Sequence, residues 1–514
     1  MWGLVLYDAV RQEVILCRDR LGIKPLYVWR GNGLVAVASE IKQFLKVPGF
    51  RAQADHRAAM EYLNTGYENP DRTFFQGVEP VPAAHFVRVS LQTCRISPPE
   101  EYWHPERVQI AVRDPQVAGE LFAEKLRECV RIHLRSDVPV GCALSGGLDS
   151  SAIAVLIDSQ NPKGTLRTFT ATFPGASIDE SEYANAVVSA IHAQPYTVTP
   201  DSESFLKDFD RFLWVHDEPV GSLSQYAGYC IARLTRASGV TVTLHGQGGD
   251  EILSGYWQSY FLYLRQLWRD KHWMRLVGHF GGALAGKGNS ALWGQVPLMI
   301  RRYLSQTSRR SGASNDRNLL EELMSLDGQT ARVFQIRRMF LPRLLKWDDR
   351  NSMAFSVEAR YPFLDHELID LCLSFAPETL SWRGWTKFPL RLGLKDELPA
   401  KVGRRKTKFG FETPQDQWLC GSLQRYVEEW LNQDRPLWNL ISQERIRFVA
   451  QQTWSLRGQR TEPGQELFRA LILDRWLEIF GIEIPPWDAF KNEQVHGNTL
   501  ASSEHGGIAA STPS

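Results

Sequence analysis

The segment Ser145-Gly146-Gly147-Leu148-Asp149-Ser150-Ser151 follows the apolar run Val138–Leu144 directly and leads into the helical stretch Ala152–Asp158. A buried strand, a glycine turn and a helix start, in that order, are the building step of a parallel sheet. Glycines let the backbone approach a ligand, and the free N–H groups of the first helical turn make an anion site that needs no lysine. Phosphate is the guest such a loop suits. The spacing fits neither GxxxxGK[ST] nor GxGxxG, so the loops those patterns mark are excluded.

The flanking sequence extends the pattern. Helices are expected over Val117–Leu134, from about Ser150 and over Ser181–His192, with strands over Leu166–Phe173 and Val240–Leu244 and an extended stretch at Pro195–Thr199. Strands alternating with helices predict an α/β fold, a parallel sheet covered on both faces. The first hundred residues read differently. Gly3–Tyr7, Glu13–Cys17, Leu26–Trp29, Leu34–Ala38 and Phe86–Ser90 are short apolar or alternating runs divided by turn residues, and one helix near Arg57–Gly66 interrupts them. The chain opens inside a strand, as though a domain were already under way, and a proline-rich connection from Pro98 to Pro115 closes this region. From Tyr256 onward the pattern is mostly helical, broken by polar stretches at Gly281–Ser290 and Ser305–Asn318, the second expected to be a mobile surface loop. The tail, residues 491–514, is poor in large apolar residues and is expected to be disordered.

Composition narrows the class. At 514 residues the chain is sized for two or three domains. With 59 Lys+Arg against 58 Asp+Glu it carries no global field that favours nucleic acid or an anionic membrane. The seven cysteines are scattered without a CxxC pair, which excludes a zinc ribbon, a redox motif and a disulfide framework and fits a reducing cytosol. No apolar run reaches the ~18–20 residues that span a bilayer, and the N-terminus lacks the features of a signal peptide. The expectation is a cytoplasmic protein that works on small molecules, with neither nucleic acid nor membrane as partner.

A second segment carries chemistry. Gly246-Gln247-Gly248-Gly249-Asp250-Glu251 follows the strand Val240–Leu244 and precedes Ile252-Leu253-Ser254-Gly255-Tyr256. A carboxylate at the carboxyl end of a parallel strand faces the ligand crevice of an open sheet, where it can hold Mg²⁺ against pyrophosphate, and Asp250 is the candidate.

These two segments resemble the pyrophosphate loop and the GEGxDE…GGY segment of the N-type ATP pyrophosphatases, the family of asparagine synthetase, β-lactam synthetase and the lasso-peptide cyclases. The resemblance implies that Ser145, Gly146, Gly147 and Ser150 hold the phosphates of ATP. It implies that Leu144, Ala171, His245 and Gly246 lie on the nucleotide side and that Asp149 and Asp250 bind Mg²⁺. Further segments match in the family's order: Asp217-Glu218-Pro219, Asp348 to Met353, Val357 to Asp365, and Arg404 to Phe411. Within the last, Lys406 matches the cation set against the charge that grows on the α-phosphate, with Lys408 second. Two positions depart from the pattern. His245 stands where the family often has Ser. Gln247 stands where asparagine synthetases usually have Glu; an amide cannot accept a proton as a base, though it can orient a nucleophile.

Cys17 to Tyr27 and Ala38 to Lys42 resemble the latter half of the class II glutaminase domain joined to these synthetases. That domain's nucleophile is an N-terminal cysteine. Here Met1 is followed by Trp2 and Cys17 lies inside a strand-like segment, so neither does that job in the chain as given. The expected organisation is the C-terminal half of an N-terminal-nucleophile glutaminase domain over residues 1–105. A doubly wound, parallel-sheet ATP-pyrophosphatase domain with a helical C-terminal part follows over 106–490, and then the tail. The resemblance implies an AMP-forming ligase that adenylates a carboxylate, aspartate being the family's commonest, and amidates it with ammonia, free or derived from glutamine. It leaves a homodimer open. Gln247 makes a tailoring amidotransferase or cyclising synthetase acting on a peptide or glycan precursor the alternative, and a non-catalytic partner subunit is the third reading.

Overall fold

The computed structural model describes residues 1–161, 165–284, 319–406, 412–456 and 461–484. The N-terminal region contains β1 (Gly3–Asp8), β2 (Glu13–Arg18), β3 (Tyr27–Gly31), β4 (Leu34–Ala38), β5 (Val78–Pro80), β6 (His85–Ser90) and β7 (Glu100–Glu101). They form two antiparallel sheets, ordered β1-β2-β6-β7 and β4-β3-β5. The expected strands are all present; β5 and β7 are too short to show an alternating pattern. The expected helix runs His56–Thr65, started by the Asp55 side chain accepting from the Ala58 N–H and stopped by Gly66 in the left-handed region. β1 is an edge strand, and Leu4, Val5, Leu6 and Tyr7 along it are exposed.

The second region is built on β8 (Val140–Ala143), β9 (Leu166–Ala171), β10 (Ala193–Val198), β11 (Val242–Leu244) and β12 (Glu358–Arg360). Their order is β10-β9-β8-β11-β12 and every pairing is parallel. The alternation expected between residues 117 and 244 is therefore present. The helix Pro115–His133 begins on Asp114 and Pro115, and the helix Leu148–Gln160 is buried from Leu148 to Ile157, as befits an element packed on all sides.

One helix is shorter than its pattern. The helix from Ser181 stops at Val188 rather than His192, because the His192 carbonyl accepts from Leu166 N–H at the start of β9 and so belongs to the sheet. The strand β12 is three residues with no periodicity of its own, and only pairing with β11 makes it one. Of the polar stretch Gly281–Ser290, the first residues end the helix Trp273–Leu284; its remainder, Ser305–Asn318 and the tail lie outside the described residues. Among the described residues no helix is long and apolar enough to cross a membrane.

The two regions share one core. Phe74 and Phe75 meet Trp476 edge-on, with ring centroids 5.8 and 5.1 Å apart, and Tyr62 donates to the Val220 carbonyl at 2.7 Å. Four matched segments lie on this seam: Cys17 to Tyr27, Ala38 to Lys42, Asp217 to Pro219 and Asp348 to Met353. Asp217 accepts from Ile41 N–H at 2.8 Å and pairs with Lys42 and Arg350, each at 2.9 Å. Lys24 pairs with Asp349 at 2.6 Å, and Lys346 holds both Glu68 and Glu218 at 2.7 and 2.9 Å.

Candidate active site

In chain order the five-stranded sheet runs 3-2-1-4-5, so β8 and β11 are the adjacent strands from which the connections diverge. Open α/β sheets bind ligands outside the carboxyl ends of that pair. Both glycine segments leave the sheet there. Leu144 is anchored by donating its N–H to the Phe169 carbonyl at 2.9 Å and by accepting from Thr170 Oγ1 at 2.7 Å; Ala171, at the end of β9, is half-buried next to it. The loop then folds over its own hydroxyls: Ser145 N–H donates to Ser150 Oγ at 3.2 Å and Gly147 N–H to Ser145 Oγ at 3.2 Å. Gly146 has φ 74, and a Cβ there would stand 2.5 Å from the Ala184 nitrogen, so a side chain is barred twice over. A Cβ on Gly246 would meet the Ser150 nitrogen at 2.6 Å, which shows how closely the second segment packs on the first.

Asp149 lies in the first turn of the helix Leu148–Gln160, and Asp250 in the first turn of the helix Gly249–Ile252. The structure brings their carboxylates to one point. Lys387 Nζ is 2.6 Å from Asp149 Oδ2 and 2.6 Å from Asp250 Oδ1, with the lysine 3% exposed. Two carboxylates that converge on one cation are the donor set a hard divalent ion takes, and the ammonium marks where it would sit. The residues therefore fit a divalent ion such as Mg²⁺, which Asp149 and Asp250 would hold.

Lys387 was not among the sequence candidates. It falls between a small hairpin, β13 (Ser381–Trp382) and β14 (Trp385–Thr386), and the helix Phe388–Gly393. Nothing in Thr386-Lys387-Phe388-Pro389 marks it, and only the fold carries it to the loops.

Of the basic segment, Lys406 is exposed and Lys408 lies outside the described residues. The residue that reaches the loop is the preceding one. Arg405 is buried, donates to the Gly146 carbonyl at 3.3 Å, pairs with Glu180 and stacks 3.8 Å above the Tyr183 ring. His245 gives its N–H to the Arg360 carbonyl, and its ring lies 2.9 Å from Asp348 Oδ2 and 2.9 Å from Thr243 Oγ1. Its imidazole is thus held by protein groups at both nitrogens. Gln247 is half-buried between Gly246 and the left-handed Gly248. Glu251, wholly buried, is pushed up to about 7 by burial and by Asp250 beside it, and it accepts from the Tyr256 hydroxyl at 2.6 Å.

A family model described as asparagine synthase matches residues 121–478, and one described as a glutamine amidotransferase domain matches residues 1–103. The chain belongs to the asparagine synthase family. A putative glutamine-hydrolyzing asparagine synthetase of Mycobacterium tuberculosis is 30% identical over 450 residues, 82% of this chain and 68% of that protein. Asparagine synthetase 1 of Bacillus subtilis is 25% identical over 464 residues, covering 85% and 71% of the two chains. Amidase chyE of Penicillium rubens is 26% identical over 530 residues, covering 90% and 75%. Membership of the asparagine synthase family makes the chain an ATP-using, amide-forming ligase built from an amidotransferase region and a synthetase region.

Proposed function

We propose that this chain adenylates a carboxylate, aspartate first, and amidates it with ammonia, free or derived from glutamine, in the cytoplasm. The observation that carries the reading is the meeting of Asp149 and Asp250 at the switch point, over a loop whose N–H groups open a helix. In the first step a carboxylate oxygen attacks the α-phosphorus of ATP and pyrophosphate leaves. In the second, ammonia attacks the acyl carbon, loses a proton and expels AMP. The Ser145–Ser151 backbone and hydroxyls cradle the departing phosphates. Lys387 and Arg405 are positive charges beside that loop, and the exposed Lys406, next to Arg405 in the chain, is a third. Asp149 and Asp250 would hold Mg²⁺, which would supply neutralisation of the pyrophosphate charge. His245 borders the nucleotide through its backbone, and Gln247 faces the acceptor step as a hydrogen-bonding group.

A second reading rests on Gln247. Where the acceptor or acid is larger than ammonia and aspartate, an amide here orients the nucleophile, and the similarity to a protein named an amidase favours keeping that reading. One experiment separates the two. ATP–pyrophosphate exchange is measured with aspartate, glutamate, N-acylated amino acids and short peptides. Exchange driven by aspartate supports the first reading and exchange driven only by larger acids the second. Exchange with none, while ATP still binds, would remove both.

A further inference from the structure

Lys387 is built into the position a metal would take. Its backbone has φ 53 and ψ 40, a region that residues other than glycine seldom occupy. The short helix it precedes is clamped, since a Cβ on Gly393 would stand 2.2 Å from the Gly119 carbonyl oxygen of the helix Pro115–His133. Packing around the ammonium is equally close: a Cβ on Gly255 would meet Asp250 Oδ1 at 2.1 Å and Lys387 Cε at 2.2 Å. Two carboxylates therefore share one buried cation before any ligand arrives. A bare dication entering there has to break two short charge-assisted bonds and then stand beside a like charge in a medium that screens it poorly. A nucleotide changes that balance. Its phosphates add negative charge at the loop and offer the ammonium a new partner within the swing of a flexible four-carbon stem.

We propose that Lys387 is an internal counter-ion that bars free divalent metal from Asp149 and Asp250 and yields only when phosphates arrive, so that metal and nucleotide enter together. This rests on the adenylation reading above and adds an order of binding to it. Equilibrium dialysis of the full chain tests it, with bound Mn²⁺ counted per chain at matched free Mn²⁺, alone and with the α,β-methylene analogue of ATP. The native chain should take up Mn²⁺ only with the analogue. Lys387→Met should bind Mn²⁺ alone about ten-fold or more tighter than the native chain, as expected when one like charge is removed from the site. Lys387→Gln, which keeps two N–H donors for the carboxylates, should do the same and serves if the methionine variant does not fold. In both variants Mn²⁺ alone should raise the unfolding temperature, whereas the native chain should not respond. Equal Mn²⁺ uptake by the native chain with and without the analogue overturns the proposal, as does failure of both variants to gain affinity. ATP–pyrophosphate exchange on the same native preparation keeps the two readings apart. Exchange with nucleotide-independent Mn²⁺ uptake sinks the counter-ion alone, and nucleotide-dependent uptake without exchange for any acid sinks adenylation alone.

Discussion

The switch point and the seam between the N-terminal sheets and the synthetase helices both bury carboxylates against cations, but they set them in different surroundings. At the seam Asp217 is fully buried and surrounded by donors: the Ile41 N–H, the Lys42 ammonium and the Arg350 guanidinium. Asp349 faces Lys24 there, whereas Glu218 shares the Lys346 ammonium with Glu68. At the switch point two carboxylates point at each other across a single ammonium. Burial and ion pairing alone therefore do not separate a structural charge from a working one. Convergence on one cation does not separate them either, since Lys346 at the seam is shared by Glu68 and Glu218; what sets the switch-point pair apart is its place at the carboxyl ends of adjacent parallel strands, beside the glycine loop. Substitutions should split the regions cleanly, one losing chemistry and the other stability.

The largest effect is expected at Asp149→Ala. Removing a carboxylate that would hold the pyrophosphate-side cation should lower ATP–pyrophosphate exchange by roughly 10³-fold or more, the scale on which lost electrostatic stabilisation is read. Lys387 keeps Asp250 as a partner and the carboxylate repulsion disappears, so thermal unfolding should shift little. A variant that keeps normal exchange would place Asp149 with the seam residues.

Asp217→Ala should do the reverse. It takes the buried partner from Lys42 and Arg350 and leaves them the more exposed Glu40, and breaking a buried pair from one side costs about 3–5 kcal/mol. Urea unfolding should show that loss, while exchange per folded molecule stays near normal. A loss below about 1 kcal/mol, the range of exposed pairs, would mean the seam is not a lock.

Next in size is a pH effect from the same seam. His216 is buried against Asn351, and burial, with Arg350, Lys346 and Lys42 nearby, pushes its imidazole down to about 3. The folded ring thus stays neutral where the unfolded ring, near 6.5, takes up a proton. Stability from this residue is complete above pH 6.5 and is lost as pH falls from there toward 3, by ~1.4 kcal/mol per pH unit. His216→Gln should flatten the pH dependence of urea unfolding between pH 6 and pH 4 by about that slope. An unchanged slope would mean the ring is protonated in the folded chain.

What the sequence disclosed follows the same division. The phosphate loop, the Asp250 segment and the strand–helix alternation were legible because each is local: glycines, an acid and an apolar run within a few residues. The glycine positions proved to be close approaches that no side chain would survive. Lys387 was illegible because its relation to Asp149 spans the fold and no neighbour in sequence announces it; its left-handed backbone is its only oddity, and that is seen in three dimensions alone. Arg405 and Lys406 are adjacent in the chain, and a motif match could not say which of the two turns inward. The Asp217 and Asp348–Met353 segments were legible as matches. Their place in the seam was not, since ion pairs between distant segments leave no spacing to read.

The smallest effect, and the one that sharpens the switch point most, is expected at Gln247. It sits half-buried between Gly246 and Gly248, next to the Asp149–Lys387–Asp250 cluster but outside its ion pairs. If amidation needs a base at this position, the native amide leaves adenylation intact and slows the second step, since base assistance is typically worth ~10²–10⁴-fold. A Gln247→Glu variant introduces that base without the supporting groups that would tune it, so only part of the gain is recoverable. It should raise ammonia-dependent amide formed per pyrophosphate released by a factor of several, on the order of 2–10, with exchange itself little changed. A third acid close to two others also carries a repulsive cost, which sets the expected gain low. An unchanged ratio with aspartate adenylated would mean the ammonia proton is taken by another group. A fall in the reaction of a larger acid on the same substitution would show that the amide is fitted to a bulkier acceptor.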